Sequence, residues 1–76
     1  MNNVRRKQLE LAEQHIDVAC DLIQTAMDDE QGCLDSLPES FAVSEMYERI
    51  GENIDGMSDA LESLGDARDR LDEVIE

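Results

Sequence analysis

Carboxylates are the side chains in this sequence whose spacing points most directly to a chemistry. In the second half of the chain, ten acidic residues recur at alternating intervals of three and four. This spacing keeps them on one face of an α-helix, with a carboxylate about every 5 Å along its axis. Successive phosphates along a nucleic acid strand lie at a comparable separation. The ten positions are Glu45, Glu48, Glu52, Asp55, Asp59, Glu62, Asp66, Asp69, Glu73 and Glu76.

Two interpretations of this acidic face stay open. It is typical of the solvated side of a coiled coil, where charged residues are normal. An ordinary solvated face, however, mixes lysine with glutamate, because like charges four residues apart destabilise a helix. The unbroken run of acids therefore also favours a selected anionic surface, which imitates phosphates and occupies the basic groove of a nucleic-acid-binding protein. Binding of that kind weakens as the salt concentration rises.

The remaining reactive side chains predict no catalytic site. Cys20 and Cys33 lie on one predicted helix, roughly 20 Å apart, which is too far for a disulfide. Cys20 is expected to be a small core residue, and Cys33, at the helix end, is a candidate for exposure. His15 stands among apolar residues, as a packed or interface-edge histidine, and has no second ligand at the spacing of a metal site. We therefore predict a non-enzymatic protein with no cofactor and no bound metal.

The charge balance of the chain limits its partners. Its 76 residues include 20 acidic and 6 basic side chains, for a formal net charge of −14. Such a surface repels nucleic acid phosphates and anionic lipid and attracts basic protein surfaces, so direct binding to nucleic acid or membrane is not expected. No apolar run reaches the length of a membrane span, and no secretory signal is recognised, so the bacterial cytoplasm is the expected compartment.

Two helices are predicted within a single domain over residues 1–76. Helical periodicity covers roughly 3–33 and 43–75, and the segment between them, 34–42, holds the only proline, Pro38. Proline and the neighbouring small polar residues are typical of a turn. Because the connector is short, the two helices must run antiparallel. The sequence therefore predicts an all-α fold, an antiparallel helical hairpin.

Serines around the connector are candidate helix caps. Ser36 followed by Glu39 matches the capping-box pattern for one short helical turn inside the connector. Ser40 or Ser44 is expected to cap the start of the second helix with its hydroxyl oxygen.

Both predicted helices carry an apolar face that is wide for a single partner helix. The first helix has a heptad stripe of Leu9, Ala12, Ile16, Ala19, Ile23 and Ala26. A second stripe beside it consists of Leu11, His15, Val18 and Leu22. The stripe of the second helix consists of Val43, Tyr47, Ile50, Ile54, Met57, Leu61, Leu64, Arg68, Leu71 and Ile75. A row at intervals of seven adjoins it: Met46, Asn53, Ala60, Ala67 and Val74. A face of this width needs two neighbours, so we predict a homodimer or higher oligomer, with two hairpins forming a four-helix bundle.

The predicted oligomer interface draws on these stripes. Its residues are Leu11, His15, Val18, Leu22, Met46, Ile50, Met57, Leu64, Arg68 and Leu71. Arg68 is either an arginine that reaches a carboxylate at the edge of the seam, or a device that fixes register by pairing across the oligomer interface. Gly51, Gly56 and Gly65 interrupt the second helix, where they either permit close approach of a partner backbone or simply loosen the helix.

Two segments of the chain resemble a family of short, acidic, two-helix proteins of unassigned function from Gram-positive bacteria and their prophages. They are the opening MNNVRRKQLE and the connector LPES. The second half departs from that family's Glu-rich heptads by carrying three glycines. The resemblance implies a mobile-element setting, in which small acidic proteins often inhibit host defence nucleases. It brings no catalytic residues to this chain.

Two hypotheses of different class follow. The first is a protein-binding module that presents its acidic face to a basic groove, and the family resemblance suggests a phage or mobile-element inhibitor of a host defence protein. The second is a structural or adaptor bundle whose acidic face is only solvated. Reversing the charge of Glu52, Asp55, Asp59 and Glu62 distinguishes them, because it abolishes partner binding only under the first.

Overall fold

Two long antiparallel helices form the fold, and the computed structural model describes residues 1–38 and 44–76 of the chain. Helix α1 spans Asn3–Asp35 and helix α2 spans Glu45–Ile75. They pack side by side as a hairpin with overall dimensions of 59 × 15 × 13 Å. The predicted hairpin is therefore confirmed, and the helix ends lie within two residues of the predicted ones.

Side-chain caps fix the start of each helix. The Asn2 side chain accepts a hydrogen bond from the backbone N–H of Arg5 at 2.8 Å, a cap that the sequence reasoning did not anticipate. Ser44 accepts from the backbone N–H of Tyr47 at 3.2 Å, which confirms it as the cap of α2. Ser40, the alternative, and Glu39 of the proposed capping box lie outside the described residues.

Ser36 ends α1. Its backbone N–H donates to the Gly32 carbonyl at 3.1 Å, and its hydroxyl donates to the Cys33 carbonyl at 3.1 Å. These bonds satisfy two of the carbonyl groups that the last turn of a helix leaves without an intrahelical partner.

The seam between the helices is shifted by about one residue on α1 relative to the predicted stripe. Leu9, Ile16 and Ile23 contribute as predicted, and Ala12 and Ala19 are also half-buried, but Ala26 is exposed. The alternate seam positions belong to Glu13, Cys20, Met27 and Leu34, which are buried or half-buried. The larger side chains at these positions remove more surface from water than alanine does, which explains the shift. On α2 the seam follows the prediction from Ile50 to Ile75, whereas Tyr47 is exposed and Val43 lies outside the described residues.

The hairpin leaves its apolar side chains incompletely covered. Among the described residues no apolar side chain is buried, and Glu13, at 8% exposure, is the one buried residue. Several large apolar side chains are more than half exposed: Val4, Leu11, Val18, Leu22, Met46 and Val74. A chain of this size gains little stability from apolar burial, so leaving an apolar face exposed lowers the stability of the lone hairpin.

The glycines of α2 are not needed for packing against α1. A methyl group built on Gly51, Gly56 or Gly65 would meet no other atom within 4 Å. Within the hairpin, therefore, these glycines do not serve close approach of the neighbouring backbone. Neither described helix is long and apolar enough to cross a membrane.

Candidate binding surfaces

The acidic face of α2 consists of the ten carboxylates that the sequence identifies, from Glu45 to Glu76, and all ten are exposed. Within the described part of the chain, none of them forms a side-chain hydrogen bond or an ion pair. Glu45 and Glu48 lie in the first turn of α2, where the helix dipole favours negative charge, but the last turn has no basic residue to balance its acids. The face is thus an open array of unpaired carboxylates, and Arg70 lines a surface depression with Asp66, Asp69 and Glu73.

A second group of carboxylates is engaged inside the hairpin by Arg68. The guanidinium donates two hydrogen bonds to Asp17 of α1, from Nε to Oδ1 at 2.6 Å and from Nη2 to Oδ2 at 3.1 Å. Its Nη1 donates to Glu13 Oε2 at 3.0 Å and to Asp72 Oδ1 at 3.1 Å. The two-pronged contact with Asp17 has the planar geometry for which arginine is suited. One cation therefore serves three carboxylates, two of them from the opposite helix.

Contacts within this cluster shift the pKa values of Glu13 and Asp17 in opposite directions. A hydrogen bond with Asp72 raises the pKa of Glu13, because only a protonated carboxyl can donate it, and burial acts in the same direction. The hydrogen bonds from Arg68 lower the pKa of Asp17 because they stabilise its charged form. The same bonds raise the pKa of Arg68. Glu13 is thus the member best placed to take up a proton.

The cluster predicts a specific pH response. A carboxyl group whose pKa is raised on folding adds stability below its ordinary value of 4.5 and loses that contribution as the pH rises through its folded pKa. Asp17, whose pKa is lowered, contributes above 3.8 and loses its contribution in stronger acid. We therefore expect thermal stability to rise as the pH falls from 7 towards 4.5, and to fall again below the ordinary pKa of Asp17.

Glu13→Gln isolates the Glu13 contribution. The amide imitates the protonated acid, so the variant should be at least as stable as the parent at pH 7 and should show a smaller rise towards pH 4.5. Melting curves followed by circular dichroism at matched salt would measure this. A variant that melts well below the parent at pH 7 would contradict the assignment.

Two interhelical polar contacts set the register of the hairpin. Besides the Arg68 cluster, the Asn53 side-chain amide donates to Glu30 Oε2 at 2.8 Å. Of the two roles considered for Arg68, the structure shows contact with carboxylates inside the chain. A role across an oligomer interface stays a prediction. The sequence offered half of the signal for the cluster, since Arg68 is a base in the predicted apolar seam of α2, whereas Glu13 is seen to enter the seam of α1 only in the structure.

The residues predicted for an oligomer interface divide into two groups in the hairpin. Those on the outer side are exposed: Leu11, His15, Val18, Leu22 and Met46. Those in the seam are half-buried against α1: Ile50, Met57, Leu64, Arg68 and Leu71. The first group is accessible to a partner as the hairpin stands, whereas the second is already in contact with its own chain.

An open groove runs along one side of the seam. Its lining includes Ala26 of α1 and Asn53, Gly56 and Ala60 of α2, so small side chains from both helices face the same side of the hairpin. Cys20, predicted to be a core residue, is half-buried, Cys33 is exposed as predicted, and both are free thiols. Over the described residues, no group of three or more potential ligands is arranged to hold a metal ion.

Comparison with known proteins adds no relative, since no family model, curated protein or solved structure matches this chain. The resemblance of its opening segment and connector to short acidic two-helix proteins therefore stays a hypothesis.

Proposed function

We propose that this chain is a non-enzymatic binding module whose acidic face occupies a basic groove of a nucleic-acid-binding protein. The observation that carries the proposal is the state of the ten carboxylates: every one is exposed, and none is paired within the described chain. A helix of 31 residues extends for about 46 Å, long enough to follow a groove that accommodates several base pairs.

The distribution of basic residues supports a surface held free for a partner. Arg49 lies four residues after Glu45, and Arg70 lies four residues after Asp66, which is a spacing that allows ion pairs on a helix. Neither arginine forms a hydrogen bond or an ion pair within the residues that the structure describes. The carboxylates of the face are thus not engaged in ion pairs within the described residues, which leaves them available to a basic groove.

The setting proposed for this activity is the bacterial cytoplasm, where the partner would be a host defence protein and the chain a phage or mobile-element inhibitor. A second candidate function is a structural or adaptor bundle. The exposed apolar side chains of α1, especially Val18 and Leu22, favour it because they are suited to assembly and play no part in electrostatic binding.

Charge reversal on the acidic face tests the first function. In this assay the chain competes with duplex DNA for binding to a basic DNA-binding protein. The variant with Glu52→Lys, Asp55→Lys, Asp59→Lys and Glu62→Lys should need about tenfold more protein than the parent to displace the DNA. Fluorescence anisotropy of labelled duplex, with a panel of purified nucleases, measures the competition. The parent should itself lose affinity as the salt concentration is raised.

A matched control carries the same charge change on exposed carboxylates of α1: Glu10→Lys, Asp21→Lys, Asp28→Lys, Asp35→Lys. It should compete nearly as well as the parent, because the acidic face is intact. If both quadruple variants lose competition equally, net charge explains the effect and the face has no special role. If the parent competes for no basic protein at low salt, the adaptor function is favoured.

A further inference from the structure

We propose that a second copy of this chain docks on one side of the hairpin, with α1 of each copy against α2 of the other. The docking surface, called the apolar flank below, consists of Leu11, Val18 and Leu22 of α1 and of Ala60, Ala67 and Val74 of α2. The inference does not depend on binding to a basic groove, because none of these six residues belongs to the acidic face.

These residues share one side of the molecule. Ala26 and Ala60 line the same open groove between the helices. Leu22 lies four residues before Ala26 and Val18 four residues before Leu22, which makes them neighbours on the surface of α1. Leu11 lies seven residues before Val18, and Ala67 and Val74 lie seven and fourteen residues after Ala60. Residues seven apart occupy nearly the same position on the surface of a helix, two turns along.

The apolar flank is left uncovered by the hairpin itself. Its three large α1 side chains and Val74 are each more than half exposed, and no apolar side chain is buried anywhere in the described chain. Docking of a further pair of helices would remove this surface from water, which is the principal favourable contribution to association. A second copy supplies such a pair.

Charge favours an acidic occupant. The α2 residues of the flank belong to a longer row of nine positions, spaced by three or four residues along the helix. This row contains none of the 20 acidic residues of the chain and two of its 6 basic residues. A basic partner would meet these two arginines, whereas this row of residues sets no carboxylate against a second acidic chain; Glu30 and Glu52 line the adjoining groove. The positions in order are Met46, Arg49, Asn53, Gly56, Ala60, Ser63, Ala67, Arg70 and Val74.

Side-chain sizes specify how the two copies align. Within the hairpin, Asp17 is level with Arg68 and Glu30 is level with Asn53. If the two-fold axis lies parallel to the helices, the same levels hold between copies. Leu22 then lies beside Ala60 of the second copy, and Val18 beside Ala67. Large side chains of α1 meet small ones of α2, which lets the helices approach closely.

Cysteine cross-linking tests this arrangement. In a Cys20→Ala, Cys33→Ser background, Leu22→Cys chains mixed with Ala60→Cys chains carrying a size tag should form a mixed disulfide on mild oxidation. Ala60→Cys chains alone should cross-link poorly, because the two α2 helices lie on a diagonal of the bundle. As a control, Asp59→Cys on the acidic face should not cross-link to Leu22→Cys. Efficient Ala60→Cys self-linkage would overturn the arrangement.

Sedimentation equilibrium tests the docking itself. The parent should be a dimer, and Val18→Asp with Leu22→Asp should weaken dimerisation roughly a hundredfold while helicity persists, because neither side chain belongs to the intrachain seam. Gln24→Asp with Gln31→Asp makes the same charge change at exposed positions outside the flank and should leave the dimer intact. A parent that stays monomeric at every concentration would overturn the proposal.

Salt separates this proposal from the proposed function. Two copies of net charge −14 repel each other, so added salt should strengthen self-association. Competition for a basic groove should weaken under the same change. Either result can therefore fail without the other.

Discussion

Replacing Gly51 and Gly65 by alanine should raise the free energy of unfolding by about 2 kcal/mol, roughly a thirtyfold change in the folding equilibrium. A glycine inside a helix costs about 1 kcal/mol relative to alanine, because its backbone loses more freedom on folding. The new methyl groups meet no atom within 4 Å, so no clash offsets the gain. For a domain of this size the melting temperature should rise by roughly 8–16 °C, measured by circular dichroism.

Gly56→Ala provides a comparison within the same helix. It should gain about 1 kcal/mol in an isolated hairpin, since its methyl group also meets open space. Gly56 lines the groove beside the apolar flank, so a docked second copy would reduce that gain. Destabilisation by Gly51→Ala or Gly65→Ala would instead mean that a partner backbone packs against these glycines, the other role considered for them.

Arg68→Met should be among the most destabilising single substitutions in the chain. Methionine has a similar length and would fit the seam, but it would leave Glu13, Asp17 and Asp72 close together without a cation. Glu13 is buried at 8% exposure, and an unpaired buried carboxylate is unfavourable. We expect the melting temperature at pH 7 to fall by several degrees, and we expect the loss to shrink in acid as the carboxylates take up protons.

Arg70→Met is the matched control for this substitution. It removes the same charge two residues away, from an arginine that makes no ion pair within the described residues. Its melting temperature should stay close to that of the parent. Equal effects of the two substitutions would mean that the Arg68 cluster contributes no more than net charge does.

The elements of the fold were accessible from the sequence because they depend on local patterns. Apolar residues at intervals of three and four predicted both helices, and Ser44, one of the two serines predicted as a cap, begins α2. The choice between Ala12 and Glu13 as a seam position was not accessible in the same way. Periodicity favours the apolar residue, whereas Glu13 is buried only because Arg68 of the other helix compensates its charge.

The candidate sites also differ in whether they depend on one helix or on the alignment of two. The acidic face is a property of one helix, so its ten positions could be predicted directly, and all ten proved to be exposed. The Arg68 cluster joins residues from two helices, and its recognition required the alignment of Asp17 with Arg68. The apolar flank likewise depends on which side of each helix the seam leaves open, which a one-residue shift on α1 decides.

The slender shape of the hairpin governs how the chain migrates in solution. Its radius of gyration is 17.3 Å, whereas a globular domain of equal length would have about 11 Å. A rod of these proportions experiences more friction than a sphere of the same mass, so a single chain should emerge from a sizing column in the range of a globular protein of larger mass. Apparent size on such a column would therefore suggest a dimer even for a monomer, and mass must be measured by sedimentation equilibrium or light scattering.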